Sequence, residues 1–204
     1  QPSAPPEFDR LWDFGDPATL ADTSALPDPS YLYSATDTYT VWVDLIGLTT
    51  RDRLYKTVIV TPAPDAGISA SGPLAFCDGG SVTLTANPGT SYLWSNGETT
   101  QAITVSETGT FTVEATDANG CKDTSEPLAV NVYELPVADA GQDITIQAGS
   151  QTALRASASS GLAPYTYFWD FGATGAQATV SPAQTTAYSV TATDANGCEG
   201  SDMV

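Results

Sequence analysis

Apolar side chains return at every second position in short runs along the chain. Examples are Ser81-Val-Thr-Leu-Thr-Ala86, Gln101-Ala-Ile-Thr-Val105 and Thr110-Phe-Thr-Val-Glu-Ala115. Such alternation turns one face of an extended strand into a core and the other into water. No apolar pattern of helical period lasts three turns. Thr, Val, Tyr and Ser, which suit a pleated surface, fill the runs, and Gly, Pro and Asn-Gly pairs separate them. Many short strands between turn residues predict an all-β chain of sandwich modules.

The pattern repeats. Thr-Asp-Ala-Asn-Gly-Cys stands at Thr116–Cys121 and again, unchanged, at Thr193–Cys198. Ten residues before each cysteine lies an aromatic, Phe111 or Tyr188, that opens an aromatic-x-Val strand. Upstream, Tyr92-Leu-Trp94 and Tyr165-Thr-Tyr-Phe-Trp169 each end on a tryptophan. A more divergent copy opens the chain with Leu11-Trp-Asp-Phe-Gly-Asp16, Tyr31-Leu-Tyr33 and Tyr39-Thr-Val41. Pro-bearing junctions at 61–67 and 135–141 divide the units, so three domains are expected, at 1–63, 64–134 and 135–204.

In the second domain the expected strands are A near Ile68–Ala70, B at Ser81–Ala86, C at Ser91–Trp94, E at Ala102–Val105, F at Thr110–Ala115 and G at Leu128–Tyr133. Val82, Leu84, Trp94, Ile103, Val105, Phe111, Val113, Leu128, Val130 and Val132 then share one core, with the tryptophan on strand C as in immunoglobulin-like folds. Asn96-Gly97 and Asn119-Gly120 supply the positive φ that tight turns need.

Trp12-Asp-Phe-Gly-Asp16 followed by Tyr39-Thr-Val41 resembles the PKD (polycystic kidney disease) domain, with its WDFGDG strand and later Y-x-V strand. Phe76-Cys-Asp-Gly-Gly-Ser-Val-Thr-Leu-Thr85, Trp94-Ser-Asn-Gly97 and Thr116–Cys121 resemble tandem Ig-like repeats of secreted Bacteroidota surface proteins, gliding-adhesin repeats included. The resemblance implies an elongated rod of β-sandwich modules at the cell surface or outside the cell. The first domain lacks strands A and B of that pattern and the third stops early. A segment of a longer repetitive protein is therefore expected, the alternative being strands supplied by another chain.

Charge narrows the function further. The chain has 24 acidic and 6 basic residues, a net charge of −18, and no histidine. Nucleic acid is not an expected partner, because phosphate binding needs clustered Lys and Arg. The absence of histidine removes the commonest general base and zinc ligand. No apolar run reaches the roughly 20 residues that cross a bilayer, so no membrane insertion is expected. Asp13 and Asp16 are close in sequence, but Ala173 stands at the place of Asp16 in the third copy, which favours a polar turn over a carboxylate pair. The expectation is a non-catalytic structural or adhesive segment of a surface or filament-forming protein. Its partners would be other copies or further modules of the same protein, or a surface polysaccharide. The alternative is an accessory or carbohydrate-binding region of a secreted hydrolase.

Three sets of residues are candidates for specific roles. In this topology Asp65, Asn87, Asp117 and Asn119 gather at one pole of the second domain, and Asp139, Ser157, Asp194 and Asn196 at that of the third. Oxygen donors on converging loops suit Ca²⁺, and the PKD resemblance supports it; the alternative is that the aspartates bond their own turns. In the first domain Tyr39, Val41 and Val43 alternate inward, which turns Trp42 outward, where with Tyr31 and Tyr33 it is a candidate sugar platform. Three cysteines leave one over. Cys77 and Cys121 share a repeat and are taken as the bridge. Strand direction speaks for Cys77 with Cys198 instead: six strand residues span about 20 Å, whereas bridged Cα atoms lie about 4.4–6.8 Å apart.

Overall fold

The computed structural model describes residues 9–47 and 50–204, and every regular element among them is a strand. The chain divides into two compact units, 1–63 and 64–204.

The first unit is one antiparallel sheet built on a long hairpin. Strands β1 (Asp9–Asp13), β2 (Thr23–Ser24), β3 (Thr38–Ile46) and β4 (Arg51–Ile59) lie in the order β2-β1-β3-β4. Alternation along β3 buries Tyr39, Val41 and Val43 on one face. Phe14, Tyr31 and Tyr33 cover that face: Tyr31 stacks on Phe14 at 4.6 Å and Tyr33 on Tyr39 at 4.0 Å. Gly15, at φ +68°, lets the turn after β1 pass directly over the carbonyl of Thr40, where a side chain would collide.

The second unit holds two sandwich repeats. The first comprises β5 (Ile68–Ala70), β6 (Ala75–Cys77), β7 (Val82–Ala86), β8 (Ser91–Trp94), β9 (Ala102–Val105), β10 (Gly109–Phe111), β11 (Val113–Thr116), β12 (Lys122–Thr124) and β13 (Leu128–Tyr133). They form the sheets β5-β7-β9, β8-β11-β12 and β10-β13-β6. The expected F strand is thus two strands. At Thr112 the chain changes partner, so that β10 pairs with β13 while β11 pairs with β8 and β12. Val82, Leu84, Trp94, Ile103, Val105, Val113 and Val130 form the core, with Phe111 and Leu128 packed against it. Burying each such side chain contributes about 1.5–3 kcal/mol.

The other repeat comprises β14 (Val137–Asp139), β15 (Thr152–Arg155), β16 (Ser157–Ser159), β17 (Thr166–Trp169), β18 (Gln177–Val180), β19 (Ser189–Thr193) and β20 (Glu199–Met203). Its ladders reproduce those of its neighbour: Leu154 faces Ala178 as Leu84 faces Ile103, and Trp169 faces Val190 as Trp94 faces Val113. Leu154, Trp169, Ala178, Val180 and Val190 form its core. Both core tryptophans donate from Nε1 to a carbonyl, Trp94 to Thr100 at 2.8 Å and Trp169 to Gly175 at 3.2 Å. Trp12 in the first unit has no such acceptor among the described residues. Gly200 allows β20 to run against the backbone of Pro136, since a Cβ there would fall on the Pro136 carbonyl.

Candidate functional site

The repeated Asp-Ala-Asn-Gly-Cys segment closes on itself. Asp117 Oδ1 accepts from the amides of Asn119 and Cys121, each at 2.8 Å, and Asn119 Nδ2 reaches Asp117 Oδ2 at 3.4 Å. In the third domain Asp194 Oδ1 accepts from the amides of Asn196 and Cys198 at 2.9 Å, and its Oδ2 from Leu162 at 2.9 Å. These amides, that of Leu162 foremost, hold the Asp194 carboxyl below its usual range. Gly161 makes the Leu162 contact possible, because a Cβ there would press on Asp194 Oδ2.

The other proposed oxygen ligands have similar local partners. Asp65 accepts from Gly67 and from Asn87 Nδ2, at 3.1 and 2.9 Å. Asp139 accepts from Gly141 at 2.8 Å and faces Ser157 across the β14–β16 ladder. The structure therefore joins Asp65 with Asn87, Asp117 with Asn119 and Asp194 with Asn196. Among the described residues no three acidic or cysteine side chains converge as a cation cage. Two further aspartates, which the sequence reading missed, anchor the incoming strands. Asp123 accepts from the buried Ala66 at 3.3 Å and Asp202 from the buried Ala140 at 2.8 Å. The Asp-Ala-Gly shared by 65–67 and 139–141 was their only sequence signal.

The aromatic platform is corrected. Tyr31 and Tyr33 pack with Phe14 and Tyr39 on the inward face of β3, whereas Trp42 lies on the other face by alternation. The Tyr31 hydroxyl donates to Asp16 at 2.8 Å and that of Tyr33 to the Phe14 carbonyl at 2.8 Å. Desolvation and the Asp16 carboxylate push the Tyr31 phenol up to about 12. Asp16 is buried and ends the turn, accepting also from Ala18. Trp42 is covered in turn: the Arg53 guanidinium lies 3.6 Å from its ring centroid.

That arginine belongs to a cluster not foreseen in the sequence. Asp44, fully buried, receives Arg53 through Nε at 2.7 Å and Nη2 at 2.9 Å. Arg51 adds Nε at 3.0 Å and a second contact through Nη2. The Arg53 hydrogen bonds, with those of Arg51, hold the Asp44 carboxyl well below the usual range against the desolvation that opposes them. Arg-x-Arg at 51–53 opposite Asp44 was visible, but only the register that pairs Asp44 with Arg53 shows that they meet.

The disulfide assignment is also corrected. Cys77 is bonded to Cys198, with Cα atoms 5.6 Å apart, and Cys121 lies outside this bridge. Cys77 ends β6 beside Tyr133, from which the chain passes into the next repeat. The turn before Cys198 folds against that same passage, where Gly161 and Gly200 both approach Pro136. Cys121 follows β11 at the other end of its own repeat, near the incoming Ala66. The bridge thus crosses the repeat boundary.

On the outer face of the third domain is a cleft of about 530 Å³ lined by Tyr165, Phe168, Thr166, Thr174 and Thr193 among others, none of them charged. Phe168 is 55% exposed. The equivalent face of the preceding repeat carries Leu93 and a Glu114–Lys122 ion pair instead. No helix among the described residues is long and apolar enough to cross a membrane.

No family model matches the chain, and no curated protein does. The solved structures similar to it include several made of consecutive modules or domains. The fibronectin(III)-like modules of CbhA from Clostridium thermocellum share 15% identity, covering 67% of this chain and 91% of theirs at a TM-score of 0.34. Three N-terminal domains of the highly immunogenic outer capsid protein of bacteriophage RB49 share 14%, covering 99% and 88% at 0.41. Extracellular domains 3–5 of Drosophila OTK share 13%, covering 98% and 84% at 0.40. At these identities the architecture rests on the ladders described above.

Proposed function

We propose that this chain is a non-catalytic, exported structural and adhesive segment of a cell-surface or filament-forming protein. The observation that carries this reading is the Cys77–Cys198 bridge, which ties one sandwich repeat to the next. Disulfides persist outside the reducing cytosol, and a covalent tie between modules resists extension where a linker alone would yield. The lack of histidine and the engagement of Asp117, Asp194, Asp44 and Asp16 in structural hydrogen bonds support a passive role. Its partners would be further modules or copies of the same protein.

Protease treatment of intact source cells, followed by non-reducing peptide mapping, tests the reading. Release of bridged 77/198 peptides into the medium is expected; recovery from the cytosol with reduced thiols would overturn it. A second reading, an accessory carbohydrate-binding region, is favoured by the uncharged aromatic cleft around Phe168, since aromatic rings and hydroxyls suit sugar surfaces. Retardation in gels containing neutral polysaccharides, lost in Phe168→Ala, would favour it over the first.

A further inference from the structure

Two covalent links join the repeats of the second unit. The backbone leaves β13 at Tyr133 and enters β14 at Val137. Strand β6, which runs parallel to β13, ends beside Tyr133 at Cys77 and crosses through sulfur to Cys198. Tension that enters the second unit at Pro64 therefore has a short covalent route. It follows residues 64–77, passes the bridge and leaves through 198–204. Residues 78–197 form a closed loop on that route, and a closed loop carries no pull along its backbone while the bridge holds.

The fold sorts its residues between loop and route. Every buried residue of both cores falls inside the loop, Val82 through Val130 in one repeat and Ala140 through Val190 in the other. The route takes only β5, β6 and β20. Each is an outer strand of its sheet, in the orders β5-β7-β9, β10-β13-β6 and β17-β19-β20. None of their residues is fully buried. An outer strand is held along one side only: β5 and β6 by three residue pairs each, β20 by five. Detaching it opens one ladder, whereas pulling out β7, β13 or β19 would open two. Further contacts pin the route to the loop. The Leu74 carbonyl accepts from Asn131 and the Asp78 amide donates to Tyr133, both at 2.8 Å, and the Asp202 carboxylate accepts from Ala140 at 2.8 Å.

We propose that the bridge is a tension bypass, which routes pull along the margins of both repeats and leaves their cores folded. Under load β5, β6 and β20 peel from their sheets. The sandwiches left behind keep Trp94 and Trp169 in place, so the strands return to the same registers when tension falls. The route is also short. Fourteen residues up to the bridge and seven from it onward reach about 70 Å when drawn out, which limits how far the margins give. Reduction abolishes the bypass: the pull then runs through the loop, and both cores lie in series with it. The inference rests on the structural reading for its purpose alone. Recovery from the cytosol with reduced thiols would defeat that reading and leave the mechanics of the oxidised chain unaltered.

The test is pulling of the full chain at constant force by handles at its two ends, before and after reduction. The first unit gives its own step in both forms. In the oxidised chain the second unit is expected to add no more than about 70 Å. The rate of that step is expected to be the same in Ile103→Val, which trims a buried core side chain. In the reduced chain the same substitution is expected to speed release of the second unit severalfold, up to about tenfold. An oxidised chain that Ile103→Val accelerates as much as the reduced one would overturn the proposal, because the cores would then open with their margins. So would a second-unit step well beyond about 70 Å before reduction, or a bridge that peptide mapping assigns to Cys121.

Discussion

Asp44 shows how one residue can organise a surface. Its carboxylate is buried beneath two arginines, and Arg53 in turn shields Trp42. Because its pKa is lowered on folding, the unfolded state binds more protons in acid. The stabilisation is therefore complete above the unfolded carboxylate value of about 3.9 and is lost as pH falls through the lower folded value. Asp194 and Asp202 act in the same direction. Acid titration of thermal stability is expected to be flat near neutrality and to fall below about pH 4. Asp44→Asn is expected to lower the melting point of the first unit at neutral pH and to flatten its acid limb. Tyr31 predicts the opposite edge. Its phenol is raised to about 12, so the stabilisation it gives is whole below the unfolded value of about 10 and is lost as pH rises toward 12. Phenolate absorbance during alkaline titration would detect a late-titrating tyrosine that Tyr31→Phe removes. Gly200→Ala makes a harsher demand, since its Cβ would meet the Pro136 carbonyl. A loss of more than about 2 kcal/mol in denaturant unfolding of the second unit is expected.

Among the elements, the turns and the bridge divide the work. The Thr-Asp-Ala-Asn-Gly-Cys turns satisfy their own amides, so they hold the end of each β-hairpin without outside help. Melting curves recorded with calcium and with chelator are accordingly expected to coincide, because the aspartate oxygens already serve these amides; a calcium-dependent rise would restore a role for Asp117 and Asp194 as ligands. The disulfide joins residues 121 apart in sequence. Closing so long a loop in the unfolded chain should stabilise the second unit by about 2–5 kcal/mol. The Cys77→Ser/Cys198→Ser double variant should therefore unfold at lower denaturant. Pulled from its ends, the reduced chain should lengthen by roughly 400 Å more than the oxidised one, at about 3.3–3.6 Å for each residue released. Equal contour lengths would show that the bridge does not form.

At the scale of the whole molecule the charge dominates. With 24 carboxylates against 6 cations, the folded chain repels itself, and one of its strongest ionic contacts is already spent within the first unit. Raising ionic strength from a few millimolar to about 0.15 M shortens the screening length to about 8 Å and should raise the melting temperature of both units. A flat response would mean that the acidic groups lie too far apart to interact.

The sequence determined the β class, the repeat and most of the core, because these depend on local alternation and on turn residues that act within a few positions. Val82, Leu84, Trp94, Ile103, Val105, Val113 and Val130 were legible from period-two spacing alone, and the positive-φ glycines Gly97 and Gly120 from their Asn-Gly pairs. Whatever required two distant segments to meet was decided by tertiary structure. Alternation told that Trp42 and Tyr39 face opposite ways, but not that Tyr31 and Tyr33 fold onto Tyr39 or that Arg53 covers Trp42. Spacing could not choose between Cys121 and Cys198, because the choice depends on how the third domain's turn settles against Pro136 after the chain leaves β13. The change of partner at Thr112 was hidden for the same reason: a strand pattern in sequence declares which residues can enter a sheet, while the partner on either side is fixed only when the layers close.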